Sequence, residues 1–132
     1  IRTNYFKVKD EQRFLDYMPE VCADDEIHLF EKEGKDGATY HGFGCYGYIY
    51  GRCKYDDDDP DYDLFIDGLR LHVADDDAII IFEAGYEKLR YVTGCATVIT
   101  SKGVEFIDIE EVATKKAAEL LGDKNYSTLC YY

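Results

Sequence analysis

The aspartates are the residues of this chain with the most evident chemistry, because ten of them fall between positions 55 and 77. That segment contains one basic residue, Arg70, and carries a charge of −9, whereas the other 109 residues supply the remaining −4 of the net −13. Carboxylates at this density attract metal cations or the basic surface of a partner. The ten are Asp56, Asp57, Asp58, Asp59, Asp61, Asp63, Asp67, Asp75, Asp76 and Asp77.

A calcium loop of the EF-hand type is excluded by the spacing of these residues. Such a loop needs Gly at its sixth position and Glu at its twelfth, but counted from Asp57 these positions are Tyr62 and Gly68. Three interpretations of the segment remain. It is a weaker cation site, a solvated acidic surface without a partner, or a surface complementary to a basic partner.

The third interpretation includes imitation of nucleic acid. Asp59, Asp63 and Asp67 recur every four residues and would line one face of a helix. Successive carboxylates would then be about 6 Å apart along the helix axis, whereas a DNA strand carries one phosphate per roughly 3.4 Å. The helix face alone is therefore a poor copy of DNA, and only the flanking aspartates would raise its charge density.

Three tyrosines form a second candidate surface. Tyr46, Tyr48 and Tyr50 stand at alternate positions and would share one face of a strand. Tyrosine combines a large rigid area with a polar tip, so the three could form an exposed recognition platform. The alternative, which we prefer from the sequence, is that a helix covers them and leaves the hydroxyls at its rim.

The run from His41 to Tyr48 resembles the Gly- and aromatic-rich signature of RNA-recognition motifs. That signature has a basic first residue and an aromatic fifth residue, which are His41 and Cys45 here. Because the net negative charge also repels phosphate, we expect no direct binding of nucleic acid.

Metal and catalytic sites are not expected from the sequence. The five cysteines have no close Cys-x-x-Cys pair, and the nearest approach to a ligand set is His41 with Cys45 and Cys53. We predict that all five thiols are reduced and that the chain needs no cofactor. The sequence contains no motif of a serine hydrolase, zinc protease or phosphate-binding loop, and it does not pair Cys95 with any His. The five cysteines are Cys22, Cys45, Cys53, Cys95 and Cys130.

Hydrophobic spacing predicts three helices. Asp10 would cap the first, and Asp59 with Pro60 would begin the second, over roughly residues 61–74. The third would begin at Asp108 and end at Gly122. Its predicted buried stripe is Ile109, Val112, Ala113, Ala117 and Leu120.

The intervening segments predict strands. They include a hairpin through residues 34–37 and a central strand over 78–82 that is covered on both faces. The resulting order, β-α-β-β-(β)-α-β-β-β-α, indicates a single α+β domain over residues 1–132. We expect a largely antiparallel sheet with helices packed on one face, which could be built from ferredoxin-like units. No segment is long and apolar enough to cross a membrane, which favours a cytoplasmic protein without membrane contact.

Several segments resemble uncharacterised small acidic proteins carried on mobile genetic elements of Gram-positive gut bacteria. The resemblance implies a context in which small acidic proteins block host defence nucleases. The segments are residues 1–6, 67–74, 78–92 and 99–103.

The sequence therefore favours a non-enzymatic acidic protein that docks a basic protein surface. Its function would include inhibition of a host protein that handles nucleic acid, through mimicry. The partner-binding residues would be the ten aspartates and the three tyrosines. The alternative is a small enzyme or ligand-binding domain whose cleft is not visible in the sequence.

Overall fold

The computed structural model describes residues 1–53, 59–87 and 91–128, and it confirms the predicted α+β class. Asp56, Asp57, Asp58 and Cys130 lie outside the described residues. The described helices are α1 (Glu11–Tyr17), α2 (Tyr62–His72) and α3 (Ile109–Leu121). The strands are β1 (Arg2–Thr3), β2 (Val21–Ala23), β3 (His28–Glu33), β4 (Thr39–Gly44), β5 (Ile49–Arg52), β6 (Ile79–Glu87), β7 (Tyr91–Thr100) and β8 (Gly103–Asp108).

Six strands form one antiparallel sheet in the order β3-β4-β1-β6-β7-β8. The predicted hairpin between β3 and β4 is present, and Gly37 takes the positive φ of 78° that its turn requires. Strands β2 and β5 pair separately as a two-stranded ribbon. The sequence reading missed β2, since a three-residue strand is too short to show a periodic pattern.

Helices α1 and α2 cover one face of the sheet and enclose the core. Phe6 packs edge-to-face on Phe14 and Phe43, and Phe43 packs in the same way on Phe65. All four phenylalanines are fully buried, together with Leu69 of α2. This core holds α2 in place, and α2 carries Asp63 and Asp67.

Local capping explains where the helices begin. The Asp10 carboxylate accepts a hydrogen bond from Arg13 N, and that of Asp108 accepts from Glu110 N, as predicted. The predicted cap of α2 is wrong. Asp61 rather than Asp59 is the cap, because its extended backbone directs its carboxylate to Leu64 N at 3.1 Å.

The second face of the sheet is largely open, which corrects the prediction that 78–82 is covered on both faces. Ile79 and Ile81 are fully buried under α1 and α2, whereas Phe82 on the opposite face is 49 % exposed. Ile80 is partly exposed. A continuous apolar run shows that both faces of a strand are suited to burial. It does not show that another element of the chain packs on the second face.

Helix α3 also differs from the prediction. It ends at Gly122 as expected, with a φ of 68°, but it contains no buried residue. Leu120, predicted to be buried, is 83 % exposed. The helix approaches the open face of the sheet, where Ile109 lies over Gly94. None of the helices in the described residues is long and apolar enough to span a bilayer.

Candidate docking surface

The three predicted tyrosines are exposed, and no described helix covers them. The exposed fraction is 82 % for Tyr46, 70 % for Tyr48 and 49 % for Tyr50, so the preferred expectation of a covered face is wrong. Tyr46 and Tyr48 lie in the loop between β4 and β5, where Gly47 has a φ of 126°. The three tyrosines therefore do not share one strand, as their alternate spacing had predicted, although all three rings do reach the surface.

Asp24 holds two of these tyrosines together. Its carboxylate accepts a hydrogen bond from Tyr48 N at 3.0 Å and another from the Tyr50 hydroxyl. Tyr46 lies apart from them, with its ring centre 6.1 Å from that of His28. Sequence reasoning missed Asp24 as a member of this surface, because its contact with the tyrosines spans more than twenty residues.

The N-terminus of α2 adjoins the same ribbon. Arg52 of β5 and Asp61 exchange two backbone hydrogen bonds, of 3.0 and 2.9 Å. Gly51 lies so close to Asp61 that a Cβ there would stand 2.3 Å from the Asp61 carbonyl oxygen. The glycine, whose φ is 126°, therefore permits the contact that brings Tyr50 next to the start of α2.

Several aspartates near this junction point to solvent. Asp59 precedes the helix, while Asp63 and Asp67 lie on the face of α2 opposite its buried Phe65 and Leu69. In the described part of the chain, no ion pair involves Asp59 or Asp63, and Asp67 is 4.0 Å from Arg70. We call Asp24, Tyr46, Tyr48, Tyr50, Asp59, Asp63 and Asp67 the acidic–tyrosine surface.

The aspartates at 75–77 are placed differently, since each is held by the N-terminal segment. The Asp76 carboxylate is 2.8 Å from Lys7 Nζ, and that of Asp75 is 3.3 Å from Lys9 Nζ. These hydrogen-bonded ammonium groups hold the pKa values of both carboxyls below their usual range. Asp77 accepts from Lys7 N and Ala78 N, at 2.8 Å each. The charge of this cluster is therefore largely compensated within the chain.

One group of possible metal ligands comes together on the α1 side of the sheet. Glu11 Oε1 lies 3.4 Å from His41 Nε2, and Glu31 Oε1 lies 4.0 Å from His41 Nδ1. His41 is 2 % exposed. An ion binds one imidazole nitrogen, whereas these carboxylates approach different nitrogens. The geometry therefore suits orientation of the ring by two acids better than chelation by three ligands.

Within the segment that resembles an RNA-recognition motif, the part that belongs to β4 has its aromatic side chain, Phe43, on the inner face. His41 and Phe43 are buried beneath the helices. Gly42 and Gly44 alternate with them and therefore lie on the open face. Base stacking needs exposed aromatic rings on the sheet, so this strand offers no such platform.

The Cys95 thiol is not activated for nucleophilic chemistry. Burial raises the pKa of the Cys95 thiol, and the Glu83 carboxylate that accepts its hydrogen bond at 3.5 Å raises it further. A nucleophilic cysteine needs the opposite shift. Cys45 Sγ donates to the Asp25 carbonyl at 3.7 Å, and the Cys22, Cys45 and Cys95 thiols are not in disulfides.

A groove of about 630 Å³ lies on the open face of the sheet beside α3. Its lining is mainly apolar, and its charged lining residues are Arg2 and Glu83. The Arg2 guanidinium stacks 4.0 Å from the centre of the Phe30 ring, so it is engaged within the chain. The apolar lining residues include Ile1, Phe82, Ala84, Ala96, Ile107, Ile109 and Val112.

Comparisons with protein-family models, curated proteins and solved structures found no match to this chain.

Proposed function

We propose that the chain is a non-enzymatic binding protein that docks a basic surface of another protein through its acidic–tyrosine surface. The observation that carries this proposal is the position of exposed tyrosines beside exposed carboxylates, of which Asp24, Asp59 and Asp63 are in no ion pair of the described residues. Lysine and arginine side chains bind both groups, through ion pairs with carboxylates and through cation–π contacts with tyrosine rings. A net charge of −13 would steer such a partner toward the protein from a distance.

The proposed partner is a host protein that handles nucleic acid, and the chain would inhibit it by occupying the basic surface that normally meets phosphate. The resemblance to small acidic proteins of mobile elements supports this choice. Asp63 and Asp67 rise about 6 Å apart along α2, so the mimicry is one of charge and not of phosphate spacing. The protein would act in the cytoplasm, without binding nucleic acid or membranes itself.

The experiment is affinity capture with the immobilised protein in host lysate. We expect a basic protein to be retained at 50 mM salt and released as salt approaches roughly 500 mM, because the Debye length shortens. The test variant is Asp63→Asn/Asp67→Asn. The matched control is Asp75→Asn/Asp76→Asn, which makes the same change in net charge where lysines already compensate the carboxylates.

The groove beside α3 favours a second candidate function, which is binding of an apolar ligand. Pockets for small molecules combine apolar walls with a few polar groups that converge on the ligand. In this groove the two charged side chains are engaged within the chain, since Arg2 stacks on Phe30 and Glu83 accepts from Cys95. A fluorescent probe of apolar surface that binds with one-to-one stoichiometry, and is lost in Val112→Asp, would support this alternative over docking alone.

A further inference from the structure

Strand β8 is one of the two edge strands of the main sheet, and its outer edge is unpaired among the described residues. An edge strand presents a row of free backbone N–H and C=O groups and is therefore a template for pairing with another strand. Proteins normally protect such an edge with charged side chains, proline or a bulge. The two edges of this sheet can be compared directly.

The β3 edge is protected and the β8 edge is not. Strand β3 carries Glu31, Lys32 and Glu33 in a row, whereas β8 carries Glu105 and, as its last residue, Asp108. Val104, Phe106 and Ile107 of β8 are 39, 64 and 41 % exposed. Strand β8 also contains no proline and pairs with β7 without a bulge. The sheet therefore has one edge that resists pairing and one that favours it.

We propose that β8 pairs in antiparallel fashion with β8 of a second copy of this chain. An antiparallel pair of identical strands has a twofold axis, so the contact is self-complementary and closes at a dimer. The pairing joins two six-stranded sheets into one sheet of twelve strands. It uses none of the residues of the acidic–tyrosine surface, and it does not depend on the proposed function.

Charge explains why a like-charged copy can approach at this edge. The two copies repel each other, since each carries −13, but residues 91–107 contain only Lys102 and Glu105 as charged residues. The hairpin of β7 and β8, which ends at Asp108, therefore carries a net charge of only −1 within a strongly acidic chain. Contact at this hairpin keeps the charged surfaces of the copies apart, which reduces their repulsion.

The side chains also select a register. Pairing centred on Glu105 would place two carboxylates directly opposite each other, which is destabilising. Pairing centred on Phe106 places the two Phe106 rings side by side and sets Glu105 opposite Ile107 of the second copy, and aromatic cross-strand pairs are favourable. We therefore expect the twofold axis to pass beside Phe106.

The contact area indicates a weak dimer. The exposed parts of the apolar side chains on β8 and at the start of α3 amount to on the order of 300 Å² per copy. A standard interface buries about 800 Å² per partner, of which somewhat more than half is apolar. Association should accordingly be dependent on concentration and detectable in the micromolar range.

Sedimentation velocity on the full chain under reducing conditions, from about 5 to 500 µM, tests this proposal. We expect the weight-average mass to rise to twice that of the monomer. Phe106→Lys should remain monomeric, because it brings two ammonium groups together at the axis. Leu29→Lys, the matched change on the protected β3 edge, should dimerise like the original chain.

A cross-linking measurement keeps the test decisive if Phe106→Lys does not fold. Opposed residues of an antiparallel pair have Cα atoms about 4.5 to 5.5 Å apart, a distance that a disulfide can bridge. Phe106→Cys should therefore form a covalent dimer on mild oxidation, whereas Leu29→Cys should not. A monomeric mass at 500 µM, or equal cross-linking of the two variants, would overturn the proposal.

Discussion

Tyr17 of α1 couples that helix to α2. Its hydroxyl donates a hydrogen bond of 3.0 Å to the Phe65 carbonyl, and its ring lies under the guanidinium of Arg52. Gly68 makes this contact possible, because a Cβ at that position would stand 2.1 Å from the hydroxyl oxygen. Burial of the phenol raises the pKa of Tyr17 to about 12. The neutral phenol is thus part of the folded structure.

Stability should consequently fall in alkaline solution. The unfolded phenol titrates near pH 10, so the fold binds one more proton than the unfolded chain between about pH 10 and pH 12. The Tyr17 contribution is complete below pH 10 and is lost as pH rises toward 12, on the order of 2 kcal/mol in all. Tyr17→Phe removes this titrating group. Its free energy of unfolding, measured with urea, should therefore fall less steeply between pH 9 and pH 11.5 than that of the original chain. Parallel profiles for the two proteins would show that Tyr17 is not buried as described.

Leu69 and Leu120 both fit an apolar helical pattern but differ in burial, so they should differ in their contribution to stability. Leu69 is fully buried, whereas Leu120 is 83 % exposed although it continues an apolar stripe. Leu69→Ala should lower the free energy of unfolding by about 2 to 5 kcal/mol through a lost contact and a cavity. Leu120→Ala should change it by less than about 0.5 kcal/mol. Chemical denaturation of both variants checks the difference, and a larger loss for Leu120→Ala would mean that α3 is packed after all.

At the scale of elements, the ends of helices and the turns were the features best predicted from sequence. Asp10 and Asp108 cap the starts of α1 and α3, and Gly122 caps the end of α3, as predicted. A cap can be predicted from sequence because it depends on neighbours within a few residues. Asp59 was misassigned because Asp59 and Asp61 both suit the cap of α2. The choice between them depends on β5, whose Arg52 fixes the backbone of Asp61 from nine positions away.

The loss of stability on replacing each candidate cap with alanine should distinguish Asp61 from Asp59. Asp61→Ala should cost about 1 kcal/mol, within a range of about 0.5 to 2, because Leu64 N loses its acceptor. Asp59→Ala removes the same charge without removing a hydrogen bond from the helix, and should cost less than about 0.5 kcal/mol. Thermal or urea unfolding of the pair distinguishes them. If Asp59→Ala lowered the free energy of unfolding more than Asp61→Ala, Asp59 would be the cap of α2, as the sequence predicted.

At the scale of the whole molecule, sequence pattern indicated which faces are apolar but not what covers them. The stripe of α3, the run 78–82 and the three tyrosines each had a plausible covering layer in the sequence, and the structure leaves each of them wholly or partly open. Covering layers depend on contacts between distant segments, such as that of Asp24 with Tyr48 and Tyr50. The acidic composition was evident from the sequence, whereas the compensation of Asp75 and Asp76 by Lys9 and Lys7 required the fold.

The distribution of charge over the folded molecule is the basis of the central claim. Asp63 and Asp67 point away from the core on α2, whose N-terminus adjoins the strand that carries Tyr50, while the carboxylates at 75–77 are bound to the N-terminal segment. Exposed charges act chiefly by steering the encounter with a partner and so affect the association rate more than the dissociation rate. Two pairs of aspartates with equal formal charge should therefore contribute unequally to docking.

The association rate of the captured basic protein, measured against ionic strength for three forms of this chain, tests that claim most directly. We expect Asp63→Asn/Asp67→Asn to associate several-fold more slowly than the original chain at 50 mM salt and to depend less on salt. Asp75→Asn/Asp76→Asn should stay close to the original chain. Equal rates for all three forms, or binding unchanged from 50 to roughly 500 mM salt, would contradict docking through the acidic–tyrosine surface.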